Sequence, residues 1–122
     1  MKRPIEMNIQ IYSCKKNFDV QKAERFFKER RIACTLVDLK KHRPGKREIA
    51  LFASVFGIQN LINRQEPAVR SHPVSYTQDE ERITEYLTEN PSLMRLPIIR
   101  NGQKMTLGAD EKTWKQWLEE ES

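Results

Sequence analysis

The chain has 122 residues and a formal net charge of +5, with 38% hydrophobic and 32% charged residues. This length supports one compact core, and the balance of apolar and charged residues favours a globular protein over a disordered one. No segment approaches the roughly 20 apolar residues of a membrane span, and the first seven residues lack the apolar stretch of a signal peptide, so we expect a cytoplasmic protein with no membrane partner.

The N-terminal third predicts a strand, a helix and a second strand. Residues 1 to 7 are expected to be a flexible tail, and the first strand begins around Ile9. The helix covers Phe18 to Arg31, and Ile32 to Leu39 is rich in strand-forming residues. The apolar residues of the helix recur at helical spacing: Val20, Ala23, Phe26 and Phe27. A helix that joins two strands in this way is typical of a parallel strand pair.

The middle of the chain, residues 40 to 94, is predicted to be largely helical. One helix carries its apolar side chains at helical spacing and ends at Gly57. Thr77 and Glu80 have the spacing of a capping box, which predicts the start of another helix that stops at Asn90-Pro91. These residues would form an insertion between the second and third strands.

The C-terminal part predicts two short strands and a helix. Leu96 to Ile99 and Lys104 to Leu107 flank Asn101-Gly102, a strong signal for a two-residue hairpin loop, so these strands should be antiparallel. Asp110 can cap a final helix. The fold class expected from all elements is α/β, with a four-stranded mixed sheet flanked by helices.

Four segments of the chain resemble, in order and with similar spacing, the ArsC/Spx family of glutaredoxin-like proteins. They are the strand, loop and helix from Asn8 to Arg31, the mid-chain segment Asn63 to Arg70, the run Asn90 to Ile99, and Gly108 to Glu111 followed by Trp114. The resemblance implies one thioredoxin-like domain over residues 8–122. It also implies a cis peptide bond before Pro97, which serves either as a backbone platform for an extended partner or substrate, or only as a relic of the fold.

The chain departs from this family at the residues that carry its chemistry. The family's reactive cysteine corresponds to Asn17, five residues after Tyr12, and the second cysteine of the Spx branch corresponds to Val20. Arginines of the family's oxidoreductases fall on Leu96 and at Leu107-Gly108. The mid-chain arginine of these oxidoreductases falls near Asn63, and the neighbouring Arg64 could substitute for it. Arg64 and Arg95 are candidate binding residues.

Cys14 is the remaining candidate nucleophile near the expected site. Lys15 and Lys16 follow it, and nearby cations lower the pKa of a thiol, so Cys14 could act as a displaced nucleophile with glutathione as a possible co-substrate. Its position near the end of the first strand also allows its side chain to point into the fold. A disulfide with Cys34 is not expected, because the two residues fall at opposite ends of parallel strands.

A basic run follows the second strand and could bind an anionic partner. It comprises Lys40, Lys41, Arg43, Lys46 and Arg47, and in a parallel sheet it would emerge at the same edge as Lys15 and Lys16. Such clusters attract phosphate backbones or acidic protein surfaces, although a solvated basic loop has the same composition. His42 and His72 are too far apart and too poorly accompanied to form a metal site.

Three functional hypotheses follow. The first is a redox-inactive ArsC/Spx-like interaction or regulatory module without a cofactor, for which the Spx branch implies a protein partner in the transcription machinery. The second is a monothiol oxidoreductase, similar to arsenate reductases and glutaredoxins, that uses Cys14. The third is a nonspecific nucleic-acid-binding protein that acts through the basic loop.

Overall fold

The computed structural model describes residues 7–121, which contain four strands and five α-helices. The strands are β1 (Asn8–Ser13), β2 (Ala33–Asp38), β3 (Ile98–Asn101) and β4 (Lys104–Leu107). The helices are α1 (Phe18–Glu29), α2 (Lys46–Phe56), α3 (Pro67–Arg70), α4 (Glu80–Glu89) and α5 (Glu111–Glu121). The chain divides into two compact units: the described residues up to Asp38 together with those from Leu96 onward, and Leu39–Arg95.

The first unit contains the whole sheet, in the strand order β2-β1-β3-β4. β1 pairs in parallel with β2, while β3 is antiparallel to both β1 and β4. The predicted four-stranded mixed sheet is therefore confirmed, as is the helical insertion between β2 and β3. Since α1 connects the parallel strands, its N-terminal end follows the C-terminal end of β1, where the family places its chemistry.

One face of this sheet packs against α1 and α5. The apolar stripe of α1 joins Ile9 and Ile11 of β1 in a cluster that includes Trp114 and Trp117 of α5. Trp114 is fully buried, and its indole N–H donates to the Thr106 hydroxyl at 2.9 Å, which satisfies both buried polar groups. Met7, which the sequence places at the end of the predicted tail, is buried in the same cluster because it directly precedes β1. Residues 1–6 lie outside the described residues.

The two ends of α1 are closed by local hydrogen bonds. Asn17 is the N-cap, and its side-chain oxygen accepts from the backbone N–H of Val20 at 2.9 Å. At the other end, the N–H of Ile32 donates to the carbonyl of Phe27, and Arg31 adopts a left-handed conformation with φ 57°. This is a Schellman closure, and it ends the helix at Glu29, two residues earlier than predicted.

The β3–β4 hairpin is present, but its loop lies one residue further along than predicted. Asn101 pairs with Lys104, so that Gly102 and Gln103 form the loop. Gly102 has φ 62° at the first loop position, where a glycine is preferred in II′ hairpins. The strand β3 begins at Ile98, and Pro97, which lacks an N–H group, directly precedes it.

The second unit is built around α2 and α4, with short helical turns between and after them. Gly57 is the C-cap of α2, where the sequence predicted that the helix ends, and Asn90 is the C-cap of α4. The N-cap of α4 is Asp79 rather than Thr77, because the Asp79 carboxylate accepts from the N–H groups of Glu81 and Arg82. The Thr77 hydroxyl, two residues earlier, instead accepts from the N–H of Asp79 and thereby supports the cap.

Candidate functional site

The residues around the N-terminal end of α1 form a small constellation, called here the α1 mouth: Asn17, Asp19, Pro97 and Gly108. The β1–β3 register pairs Tyr12 with Ile98, which places Pro97 opposite Ser13 at the end of β1. The Leu96–Pro97 bond is cis, which confirms the expectation from the family resemblance. Pro97 is buried, and its carbonyl accepts from the N–H of Gly108 at 2.8 Å.

Asn17 occupies the position where a thiol would be activated. The N-terminal end of a helix carries partial positive charge and free N–H groups, which stabilise a thiolate. The side-chain oxygen of Asn17 takes one of these N–H groups through its hydrogen bond to Val20. A carboxamide is not a nucleophile towards disulfides, so the α1 mouth uses this position to cap the helix.

The α1 mouth also contains the carboxylate of Asp19, beside Gly108. Gly108 has φ 67°, and a Cβ atom added there would lie 3.5 Å from a carboxylate oxygen of Asp19. This stretch, Leu107-Gly108, is where the sequence resemblance places an arginine of arsenate reductases. Here the mouth holds a negative charge and no guanidinium from that position, which disfavours an oxyanion.

Cys14 lies on the other side of β1 from Pro97. It lines a shallow cleft at the C-terminal ends of β1 and β2, which also includes Ser13, Lys15, Lys16, Val20, Leu36 and Asp38. Pro97, in contrast, precedes β3, and β1 separates β2 from β3 in the sheet. Cys14 is half-buried, and Lys15 and Lys16 are exposed.

Cys34 lies at the opposite end of β2 and is a poor nucleophile. Burial raises the pKa of its thiol to about 11, and the nearby Glu24 carboxylate contributes in the same direction. Its Sγ donates weakly to the carbonyl of Ile32. Neither cysteine is part of a disulfide in the described residues, and their positions at opposite strand ends agree with the sequence prediction.

The remaining predicted binding residues lie in the second unit. The Arg64 guanidinium donates to the backbone oxygen of Gln59 at 3.0 Å and to its side-chain oxygen at 2.5 Å, so it ties together one turn of this unit. Arg95 is exposed, while its backbone N–H bonds to the carbonyl of Leu61. The basic run is exposed: Lys40, Lys41 and Arg43 lie in the loop before α2, and Lys46 and Arg47 begin that helix. The shared surface with Lys15 and Lys16 stays a prediction.

The structure also bears on metal binding and on membrane insertion. Within residues 7–121, no group of three or more histidine, cysteine or acidic side chains could hold a metal ion. The His72 ring accepts from the N–H of Val74, and thus serves as a local cap. None of the described helices is long and apolar enough to cross a bilayer.

One surface was missed by the sequence analysis. A groove of about 320 Å³, called here the α1–α5 groove, runs between these two helices. Its lining residues are Phe18, Lys22, Arg25, Phe26, Glu29, Arg30, Glu111 and Lys115. Phe18 is 74% exposed at its rim. One sequence feature could have indicated this groove. Phe18 is an aromatic residue outside the apolar stripe of α1, and cations follow it four and seven residues later.

Comparisons with known proteins agree with this geometry. The model of the ArsC family matches residues 12–117. Among solved structures, an arsenate reductase from Vibrio cholerae superposes with a TM-score of 0.74 at 16% identity, covering 93% of this chain and 98% of that one. A protein related to arsenate reductase from Brucella melitensis gives 0.69 at 21% identity, with 92% and 95% covered.

A third structure, the Staphylococcus aureus COL protein SACOL0876, gives a TM-score of 0.74 at 25% identity and covers 88% of this chain and 96% of that one. The sequence comparison with curated proteins gives no match. The similar structures therefore establish the arsenate reductase-like fold, and at these identities they carry no further statement about activity.

Proposed function

The chain belongs to the ArsC family, and we propose that it acts as a redox-inactive interaction or regulatory module in the cytoplasm rather than as a reductase. The observation that carries the proposal is the N-cap of α1. At this position the family's mechanism requires a thiolate, and this chain has an asparagine whose oxygen is already bonded to Val20. No proton transfer or sulfur exchange can pass through that side chain.

The charge at the α1 mouth supports the same conclusion. An oxyanion such as arsenate is stabilised by guanidinium groups and by helix N–H groups. Here Asn17 takes one N–H group, and the Asp19 carboxylate lies against Gly108. An anion entering the mouth would meet a negative charge, which opposes binding in addition to the missing nucleophile.

The alternative, a monothiol oxidoreductase, has one observation in its favour. Cys14 is partly accessible in a cleft beside Lys15 and Lys16, and lysines promote thiolate formation. However, the cleft is lined by β2 residues and not by Pro97, so the thiol does not occupy the family's substrate position. We therefore rank this alternative second.

A protein partner is the expected ligand of such a module. The resemblance to the Spx branch implies contact with the transcription machinery, and we carry that over as the first class of partner to test. A domain that keeps its fold and loses its reactive group still has its surface residues, and these can bind a partner protein.

The experiment compares the parent chain with a variant in which both cysteines are replaced, Cys14→Ser with Cys34→Ser. The full chains are immobilised and exposed to extract of the source cells, and the captured proteins are identified. The proposal expects the same specific partners with both. If the cysteine-free variant loses its partners, or if the parent reduces arsenate or a disulfide in a Cys14-dependent manner, the proposal is wrong.

A further inference from the structure

The outer surface of α1 differs from its mouth in the sign of its charge: it carries cations that have no ion pair among residues 7–121, whereas the mouth carries the Asp19 carboxylate. The α1–α5 groove is lined by the cations Lys22, Arg25, Arg30 and Lys115 and by two carboxylates, those of Glu29 and Glu111. The groove therefore has an excess of positive charge. Arg25 and Lys115 are exposed, and Lys22 is half-buried.

Three of the four cations in this groove have no ion pair among residues 7–121. Arg30 has a neighbouring carboxylate, with its Nη1 atom 3.9 Å from Glu29, and its guanidinium lies 3.8 Å from the centre of the Phe26 ring. For Lys22, Arg25 and Lys115, the part of the chain that the structure describes supplies no ion pair. Three cations thus remain available to an external anionic group.

An aromatic side chain stands beside these cations. Phe18 is 74% exposed, although Phe26 and Phe27 on the same helix are 4% and 0% exposed. A phenylalanine that remains in water forgoes the favourable free energy that burial of its ring would provide. An exposed aromatic side chain beside arginine and lysine is typical of binding hot spots, in which aromatic residues and arginine are enriched.

From this arrangement we propose that the α1–α5 groove docks an acidic segment of a partner protein, in which an apolar side chain flanked by carboxylates packs on Phe18. The carboxylates would pair with Lys22, Arg25 and Lys115. The inference rests on the proposed function, since it names the surface and the partner chemistry of that interaction module.

Two other occupants fit this groove less well. A single-stranded nucleic acid carries a charge on every phosphate, and Glu29 and Glu111 would oppose those that pass them, whereas a peptide can place neutral residues there. Nucleic acids also stack successive bases on several aromatic groups, and Phe18 is the one strongly exposed aromatic residue among those lining the groove. A second copy would bring the same excess of positive charge against this one.

The test measures binding of a fluorescent short peptide in which one phenylalanine is flanked on both sides by glutamates. Two control peptides replace the phenylalanine by serine or the glutamates by glutamines. The protein variants are Phe18→Ala and Arg25→Glu. The second unit offers matched controls, Tyr76→Ala at 76% exposure and Arg70→Glu, an exposed arginine outside the basic run.

We expect each groove variant to weaken binding of the acidic phenylalanine peptide by about tenfold, because a few hot-spot residues carry most of the binding energy of an interface. The Tyr76 and Arg70 variants should bind as the parent does, and both control peptides should bind more weakly than the original. Amide NMR shifts on peptide addition should be concentrated in α1 and α5. Circular dichroism confirms that each variant is folded.

Several results would overturn the docking inference. They are no binding by the parent, equal binding of the serine peptide, unchanged affinity in the groove variants, tighter binding of a single-stranded oligonucleotide, or self-association of the parent through α1 and α5. These results leave the proposed function intact if the cysteine-free chain still captures its partners through another surface. Conversely, Cys14-dependent turnover would remove the proposed function without altering peptide binding.

Discussion

The mouth of helix α1 and its outer side differ in the groups that they leave available to a ligand. At its mouth, the side-chain oxygen of Asn17 is bonded to Val20 and the carbonyl of Pro97 is bonded to Gly108. On its outer side, Lys22 and Arg25 have no ion pair within residues 7–121, and Phe18 is exposed. The contrast teaches that Asn17 serves as a helix cap at the mouth, while the outer side keeps the cations and the aromatic ring on which the docking proposal rests.

This contrast would weaken if sulfur chemistry took place elsewhere in the first unit, and Cys34 offers the largest expected effect. Because burial raises its pKa to about 11 from the usual 9.0, its thiolate fraction at neutral pH should be about a hundredfold lower than in the unfolded chain. We expect alkylation of Cys34 by iodoacetamide, followed by mass spectrometry, to be slower by about tenfold in the folded protein, because the greater nucleophilicity of a thiolate with a higher pKa offsets part of its lower fraction. Equal rates in the folded and urea-unfolded chains would contradict the assignment.

Restoring the thiol tests the mouth itself. In Asn17→Cys, with Cys14 and Cys34 replaced by serine, the new thiol would lie at the N-terminal end of α1. Helix N-termini lower a thiol pKa from about 8.5 towards 7 or below, which raises the thiolate fraction at neutral pH by about tenfold or more. The measurement is the absorbance of the thiolate at 240 nm across a pH titration.

The matched control for this titration is Lys41→Cys in the same cysteine-free background, at an exposed loop position before α2. A pKa of the Asn17→Cys thiol equal to that of Lys41→Cys would show that the mouth no longer activates a thiol, for reasons beyond the missing sulfur.

Removing the cap separates the structural role of Asn17 from a chemical one. Asn17→Ala should lower the free energy of unfolding by about 1 kcal/mol, since an alanine cannot accept from the N–H of Val20. Asn17→Ser, which retains a capping oxygen, should remain close to the parent. Urea unfolding followed by circular dichroism measures both, and an unchanged stability of the alanine variant would refute the capping role.

The smallest expected effect is the pH dependence of stability contributed by Cys34. Folding raises its pKa, so the unfolded thiol ionises first: the contribution is complete below about pH 9.0 and is lost as the pH rises towards 11. The difference in unfolding free energy between the parent and Cys34→Ala should therefore shrink across this range. Partial exposure of the thiol reduces the size of the change, and a difference that grows with pH would show that the sign is wrong.

Much of the fold could be predicted from the sequence because the periods of apolar residues match the structure. The helical spacing of Val20, Ala23 and Phe27 identifies the buried side of α1, and the family resemblance gives the cis bond before Pro97. Errors arose where neighbouring residues compete for one local role. Asp79 caps α4 in place of Thr77, and the hairpin loop takes Gly102 and Gln103.

The site was less predictable because it depends on side-chain direction and on distant segments. The sequence gives no reason why Cys14, just beyond β1, should line the cleft with Leu36 of β2 rather than lie beside Pro97. The α1–α5 groove joins Phe18 and Lys115, which are far apart in the chain, and only packing of both helices on one sheet face brings them together.

The central claim is that this scaffold binds without reacting. The most direct measurement is the rate at which the purified parent chain reduces hydroxyethyl disulfide with glutathione, and arsenate with glutathione and glutaredoxin, beside Cys14→Ala and a protein-free blank. We predict that parent and variant both match the blank. A parent rate above the blank that Cys14→Ala abolishes would contradict the claim.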